Sequence, residues 1–146
     1  MSPRAAWRLE HLGFERSVDY AAGKLDWLAF DLPWEGTAQL VGSELDRDVP
    51  TCTIGAKVGE VRTELASAGL CIVVFDSGVV AGSLTTEALG ASDDEVVDAV
   101  MDSGPRTVRP SEESPALTER MQKKGLAHMV VTRPDGRLVG VFRPEP

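Results

Sequence analysis

One segment of this sequence occurs twice, and this repeat limits the possible folds more than any other feature. Residues 69–74 and 78–82 read Gly-Leu-Cys-Ile-Val-Val and Gly-Val-Val-Ala-Gly, and residues 125–130 and 136–140 read Gly-Leu-Ala-His-Met-Val and Gly-Arg-Leu-Val-Gly. The offset grows from 56 to 58 residues because the second turn has two extra residues. A unit this short cannot bury its own apolar face. We therefore expect the two copies to pack about a pseudo-twofold axis with a binding cleft between them.

Both copies predict an amphipathic helix, a glycine that ends it, and a hairpin of two apolar strands. A capping box at residues 92–95 predicts a further helix that carries residues 96–101. The predicted elements, in chain order, are a helix at 57–68, strands at 70–75 and 79–84, a helical turn from Thr85, the helix after 92–95, a helix at 114–124, and strands at 127–131 and 138–142.

The first 36 residues predict a helix at 2–12 with Ser2 as its N-cap, a strand at 14–20 and a helix at 24–30. All three tryptophans and the single tyrosine of the chain lie in this segment. So much aromatic surface on short elements needs a cover. We expect the rest of the chain, or a second chain, to cover the aromatic side chains of Trp7, Phe14, Trp27 and Phe30.

The composition is that of one ordinary domain of 146 residues, with 42% hydrophobic residues. No apolar run approaches the roughly 20 residues that span a bilayer, and no export signal follows Met1. We therefore expect a cytoplasmic protein with no membrane contact. Cys52 and Cys71 fit small apolar strand residues in a reducing compartment rather than a disulfide or a metal site.

The net charge of −8 is unevenly distributed along the chain. Residues 46–104 carry 3 basic and 11 acidic side chains, whereas residues 105–146 carry 8 basic and 5 acidic ones. Nucleic-acid binding needs a broad basic face, so this pattern argues against it. Opposite charges on the two halves favour head-to-tail docking of two chains, although a solvated surface with no such role explains them equally well.

Residues 100–110 look like the hinge between the halves of a CBS-domain pair, and residues 125–131 and 135–141 resemble the hairpin of its second motif. Repeat one matches more weakly, through Gly82 and Thr85. The resemblance implies an α/β fold of tandem CBS motifs (β-α-β-β-α) about a pseudo-twofold axis. It also implies a homodimer formed through helix faces, here those carrying Val61 with Leu65 and Leu117 with Met121.

Residues 2–14, with Tyr20, Trp27 and Pro33, resemble the last third of a rhodanese domain. In that family a catalytic cysteine loop lies just before such a helix. Since the sequence starts at Met1, where that loop would end, we expect a non-catalytic helix-strand-helix remnant, or else a fragment of a sulfurtransferase with a mis-assigned start. The predicted boundaries are 1–36 for the remnant, 37–47 for a linker and 48–146 for the pair, with repeats at about 48–101 and 104–146.

The resemblance to CBS pairs, which sense adenosine nucleotides, also implies where a ligand binds. The base lies between apolar strand residues, and a Gly-x-x-Thr/Ser-x-x-Asp pattern at the hairpin end holds ribose and phosphate. Repeat one has Gly82 and Thr85, with Thr86 as a second hydroxyl, but Ala88 stands in place of the aspartate and Glu87 is one residue early. Thr85 also fits a purely structural N-cap.

Repeat two departs further from the pattern, because Arg143 stands where the hydroxyl is expected. Arginine binds phosphate well, yet a solvated arginine is equally consistent. Arg106 could reach the same site, and His128 fits either the cleft or a partly buried strand position. We predict a repeat-one site lined by Thr51, Thr53, Ile72 and Thr85, and a second site with Arg106 and Arg143. The full candidate set is Thr51, Thr53, Ile72, Thr85, Thr86, Arg106, Thr107, His128 and Arg143.

The sequence therefore predicts a non-enzymatic regulatory module that weakly binds an adenosine-containing ligand: AMP, ATP or S-adenosylmethionine. No carboxylate pair, Ser/His/Asp set, metal-ligand spacing or phosphate-cradling glycine loop indicates a catalytic centre. The alternative is a degenerate CBS pair that acts as a protein-interaction or structural domain. Ala88, and the lack of residues after Phe142 for a closing helix in repeat two, favour that alternative.

Overall fold

The computed structural model describes residues 3–18 and 20–144. The helices in these residues are Pro3–His11 (α1), Gly23–Ala29 (α2), Val58–Ala68 (α3), Val97–Val100 (α4) and Ser114–Lys124 (α5), and 3₁₀ turns lie at Val41–Ser43 and Thr86–Gly90. The strands are Leu45–Asp46 (β1), Thr51–Thr53 (β2), Leu70–Val74 (β3), Val80–Thr85 (β4), Asp102–Ser103 (β5), Thr107–Val108 (β6), Met129–Thr132 (β7) and Leu138–Phe142 (β8).

The strands form two four-stranded sheets, with orders β2-β3-β4-β5 and β1-β8-β7-β6. Each sheet contains the hairpin of one repeat and the parallel strand that precedes its helix. The fourth strand of each sheet is short and antiparallel, and it comes from the chain just ahead of the other repeat: β5 pairs with β4, and β1 pairs with β8. The two repeats thus exchange one strand each.

The long helix of each repeat forms where the apolar periodicity predicts it. Val58, Val61 and Leu65 of α3 are buried, as are Leu117 and Met121 of α5. The glycine after each helix has a positive φ, 72° at residue 69 and 63° at residue 125, a conformation that glycine adopts without steric cost. These apolar faces pack inside their own repeats, so the predicted use of the same side chains for dimer contacts is wrong.

The core has three parts: one under α3, one under α5, and one between the two sheets. The third part contains Ile72 of β3 together with Val130 and Val141 of the other sheet. The two hairpin turns also exchange backbone hydrogen bonds, because Val80 donates to the carbonyl of Gly136 and Leu138 donates to that of Gly78, each at 3.1 Å. Both pairs follow the 58-residue offset, as expected for two copies about a pseudo-twofold axis.

The predicted helix over residues 96–101 forms only as the single turn of α4, and the predicted capping box at residues 92–95 does not cap it. The N-terminus of α3 uses the box residues instead. Val58 donates to the carbonyl of Glu95, and Gly59 donates to that of Asp93. The carboxylate of Asp93 pairs with Arg62 of α3 at 2.5 Å. A long-range partner therefore replaces the local cap, and the second helix of the predicted β-α-β-β-α order is represented in repeat one by a 3₁₀ turn and the single turn of α4.

The N-terminal helices agree with the sequence prediction, but the strand predicted at residues 14–20 does not form in the described residues. Phe14 donates to the carbonyl of Leu9 and so continues the turn that ends α1. A backbone group that is already hydrogen-bonded within the turn is not available for pairing with another strand. The predicted N-cap Ser2 and residue Asp19 lie outside the described part of the chain.

The helix α2 contacts the repeats, whereas much of the aromatic surface stays open. Arg47 donates to the carbonyl of Ala29 at 3.1 Å, and the guanidinium of Arg133 lies 4.0 Å from the ring centre of Phe30. Trp7 is nevertheless 60% exposed, and Phe14 and Phe30 are also exposed. The rest of the chain therefore does not cover these side chains, and cover by a second chain stays a prediction. No helix within residues 3–18 and 20–144 is long and apolar enough to cross a bilayer.

Candidate functional site

A cavity of about 380 Å³ lies where the end of β4 meets the start of the second hairpin. Thr85 and Asp102 line it from repeat one's sheet, and Arg106 and His128 line it from repeat two. The apolar residues Leu126 and Ala127 also line it. Ligand sites of about 300–1,000 Å³ commonly combine apolar walls with a few polar groups, so this cavity has the composition of a small-molecule site.

Strand exchange places Asp102 in the cavity. Residue Ser83 of β4 pairs with Asp102 of β5, and Thr85 ends β4 two residues further on. Thr85 occupies the N-cap position of the following 3₁₀ turn, but its side chain makes no capping hydrogen bond. Its hydroxyl therefore has no part in holding that turn, which weakens the purely structural interpretation.

A second cavity of about 310 Å³ adjoins the first and shares Ser83, Thr85 and Asp102 with it. Glu87 and Ala88 also line this second cavity. The aspartate expected from the family pattern is thus replaced by alanine, while two other carboxylates lie beside Thr85. Carboxylates accept hydrogen bonds from hydroxyl groups, which is the chemistry that the missing aspartate would supply.

The basic side of the main cavity consists of an exposed arginine and a half-buried histidine. Arg106 precedes β6 and is exposed, whereas His128 precedes β7. Burial lowers the pKa of His128, and the guanidinium of Arg143 lowers it further. His128 is therefore neutral over a wider pH range than a free imidazole, and a neutral imidazole offers both a donor and an acceptor.

The pseudo-symmetric counterparts of Thr85 and Asp102 form an ion pair. The repeat offsets relate Thr85 to Arg143 and Asp102 to Asp46. In the second position, Nη1 of Arg143 donates to Oδ2 of Asp46. The same two positions thus hold a hydroxyl and a carboxylate that line a cavity in one half, and an arginine bonded to an aspartate in the other. Arg143 is 39% exposed and also lines a separate cavity of about 700 Å³, so a phosphate contact at this residue stays a prediction.

The structure groups the predicted residues differently from the sequence. Thr85, Arg106 and His128 line one cavity, although Thr85 and Arg106 were assigned to different sites. The sequence analysis placed each site within a single repeat. In the structure β5, which is part of the hinge at residues 100–110, pairs with β4, and the hinge therefore passes next to Thr85.

The other predicted residues lie outside the main cavity. Thr51 and Thr53 are exposed on β2, and Ile72 is fully buried between the sheets. Thr86 is exposed at the start of its turn, and Thr107 lines a neighbouring cavity beside Arg106. A ligand-binding role for these residues stays a prediction.

The sequence reasoning missed Asp102. A signal was present, because Asp46 and Asp102 are both aspartates at the 56-residue offset of the repeat. Identical acidic residues at equivalent positions indicate equivalent structural places, and here both lie on the exchanged strands.

The comparisons with known proteins agree with this fold. The CBS domain family matches residues 96–145. The cytosolic domain of the Mg²⁺ channel MgtE in complex with ATP is similar to 72% of this chain, with 22% identity and a TM-score of 0.66, and this chain covers 46% of it. A CBS domain protein from Pyrobaculum aerophilum complexed with AMP is similar over 71% of this chain and 86% of its own, with 24% identity and a TM-score of 0.61.

A third solved structure is the CBS domain pair of protein MJ0100 in complex with 5-methylthioadenosine and S-adenosyl-L-methionine. It is similar over 73% of this chain and 90% of its own, with 19% identity and a TM-score of 0.63. No curated protein matches the sequence. The rhodanese-like character of the N-terminal segment has no support in these findings and stays a prediction. The matched family and the solved structures together assign the repeats the fold of a CBS-domain pair.

Proposed function

We propose that this chain is a non-enzymatic regulatory module that binds one adenosine-containing ligand in the cavity between Thr85 and Arg106. The observation that carries the proposal is the contrast between the two pseudo-equivalent positions. In one, Thr85 and Asp102 line a cavity together with Arg106, whereas in the other Arg143 and Asp46 bond to each other. Bound AMP, ATP and S-adenosyl-L-methionine in proteins of the same fold support this ligand class.

The cavity chemistry suits a nucleoside with an anionic tail. The accessible apolar residues of the lining, Leu126 and Ala127, fit a purine face. The carboxylate of Asp102 accepts hydrogen bonds from ribose hydroxyls and so supplies what Ala88 lacks. The Thr85 hydroxyl and the Arg106 guanidinium donate to a phosphate or carboxylate.

Regulation rather than catalysis fits the groups that line the cavity. The residues around it provide hydrogen-bond donors, acceptors and apolar side chains, which suit reversible binding of a ligand. Within the described part of the chain, no group of three His, Cys, Asp or Glu side chains is placed to hold a metal ion.

The test is isothermal titration with AMP, ATP and S-adenosylmethionine. We expect at least one of them to bind with a dissociation constant of millimolar or tighter and a stoichiometry of one per chain. Asp102→Asn should weaken binding, whereas Asp46→Asn, its matched control in the bridged half, should leave the affinity unchanged. Absence of binding by all three ligands would overturn the proposal.

A protein-interaction role is the second candidate, because the N-terminal segment exposes Trp7, Leu12 and Phe14. Exposed apolar patches of this kind mark interaction surfaces. We propose a cytoplasmic homodimer in which a second chain covers this segment. This candidate replaces the ligand-binding function only if the titrations fail.

A further inference from the structure

A third cavity, of about 490 Å³, lies beside the proposed nucleotide cavity and is strongly basic. It shares Arg106, Leu126 and Met129 with the nucleotide cavity, so Arg106 stands on the wall between the two. Its far side is lined by Arg120 and Lys124 of α5. We call it the basic cavity.

The charges of the basic cavity leave it positive. Arg106, Arg120 and Lys124 are the cations among its lining residues, and Glu112 is the acid among them. Glu112 is already bonded to Arg120, with 2.7 Å between Oε2 and Nη2. The negative end of the α5 dipole also lies here, since the helix ends at Lys124, and it opposes an anion weakly. Recognition of an anion therefore depends on the side chains.

The repeat provides an internal comparison for these charges. The positions equivalent to Arg106, Arg120 and Lys124 at the 56-residue offset are Pro50, Glu64 and Ala68. Repeat one builds the same helix and strands with no positive charge at these three places. The fold therefore does not require the basic residues, and they belong to repeat two alone.

We propose that the basic cavity binds the terminal phosphates of an adenosine polyphosphate whose nucleoside and first phosphate occupy the neighbouring cavity. Arg106 contacts the chain of phosphates where it passes from one cavity to the other, and Arg120 and Lys124 donate to its far end. Guanidinium and ammonium groups are the side chains that bind phosphate oxygens best. The inference rests on the proposed function and specifies it: the ligand is a polyphosphate, and a monophosphate binds less tightly.

The test measures ATP, ADP and AMP binding to the full chain by titration calorimetry in a buffer with EDTA. We expect the wild-type protein to bind ATP about tenfold or more tightly than AMP, as contacts to charged groups predict. Lys124→Ala should weaken ATP binding about tenfold and leave AMP binding unchanged. Lys123→Ala is the matched control. Lys123 is next to Lys124 in the sequence, but its side chain pairs with Glu119 and does not line the basic cavity.

A second variant tests the same idea in the opposite direction. Glu112→Gln removes the carboxylate that competes for Arg120, so ATP should bind more tightly and AMP as before. Equal affinity of the wild type for AMP and ATP, tighter binding of AMP, or an equal loss for both ligands in Lys124→Ala would overturn this inference and leave the proposed function standing. If no adenosine ligand binds at all, both fail together.

Discussion

Thr85 is the residue at which a structural role and a binding role make different predictions. By backbone position it is the N-cap of a 3₁₀ turn, yet its side chain forms no bond to that turn. Its hydroxyl instead belongs to the wall that two cavities share. The hydroxyl is therefore not needed as a cap, and the ligand contact that we propose for it does not compete with one.

We predict that Thr85→Ala lowers ligand affinity about fivefold, the effect of one hydrogen bond worth about 1 kcal/mol. The free energy of unfolding should change by less than about 0.5 kcal/mol, as for a side chain that makes no structural contact. Thr37→Ala is the control, since Thr37 is exposed and lines neither cavity. Calorimetry and urea unfolding measure the two quantities. A stability loss of about 1 kcal/mol with unchanged affinity would show that Thr85 is an N-cap after all.

At the level of the elements, the two exchanged strands cross closely over two glycines. A Cβ atom added to Gly140 would lie 2.5 Å from the carbonyl oxygen of Asp46 on β1. A Cβ added to Gly82 would lie 2.9 Å from the carbonyl oxygen of Asp102 on β5. The two glycines are equivalent by the 58-residue offset. The repeat thus keeps glycine where the short strand of the other half must fit.

We predict that Gly140→Ala destabilises the protein by about 2 kcal/mol, because the methyl group meets backbone that has to shift. Gly90→Ala is the matched control, since nothing lies within 4 Å of its added Cβ and it needs no positive φ. Its stability should remain within about 0.5 kcal/mol of the wild type. Urea denaturation compares the two variants. A neutral Gly140→Ala would mean that β1 does not pack on β8 in solution.

Local patterns predicted the elements that depend on local signals. The helices α3 and α5 and the two hairpins follow from apolar periodicity and from the glycines at residues 69 and 125, which act within a few residues. The strand expected at 14–20 did not form in the described residues, and the helix expected after 92–95 is only one turn long, because backbone groups there found other partners. The exchange of β1 and β5 has no local signal, since a pairing between distant segments decides it.

In the candidate site, likewise, local patterns predicted some residues but not how they are grouped. The hairpin-end pattern and the hinge led to Thr85 and Arg106, and the strand start led to His128. Their placement in one cavity follows from the pairing of β5 with β4, which no short motif reveals. Asp102 was missed for the same reason. It lines the cavity only because the hinge pairs with the first hairpin through β5 and β4.

At the scale of the whole molecule, the exposed aromatic side chains of the N-terminal segment bear on whether two chains associate. We predict that the protein is a homodimer at tens of micromolar protein and low salt, because the exposed aromatic segment needs a cover. The double variant Trp7→Ser/Phe14→Ser should be monomeric by light scattering. Phe75→Ser removes an exposed aromatic residue from the first hairpin turn and should leave the dimer intact. A monomeric wild type under these conditions contradicts the prediction.

The exchange of β1 and β5 also determines how the repeats lose their structure. Neither repeat contains all four strands of its own sheet, because each sheet is completed by chain that precedes the other repeat. Separated halves would each expose the strand edge left by the missing partner. The two repeats should therefore unfold in one cooperative transition, even though the sequence reads as two similar units. A ligand held between Thr85 and Arg106 would then stabilise the molecule as a whole, since it ties the hairpin of one repeat to the entry strand of the other.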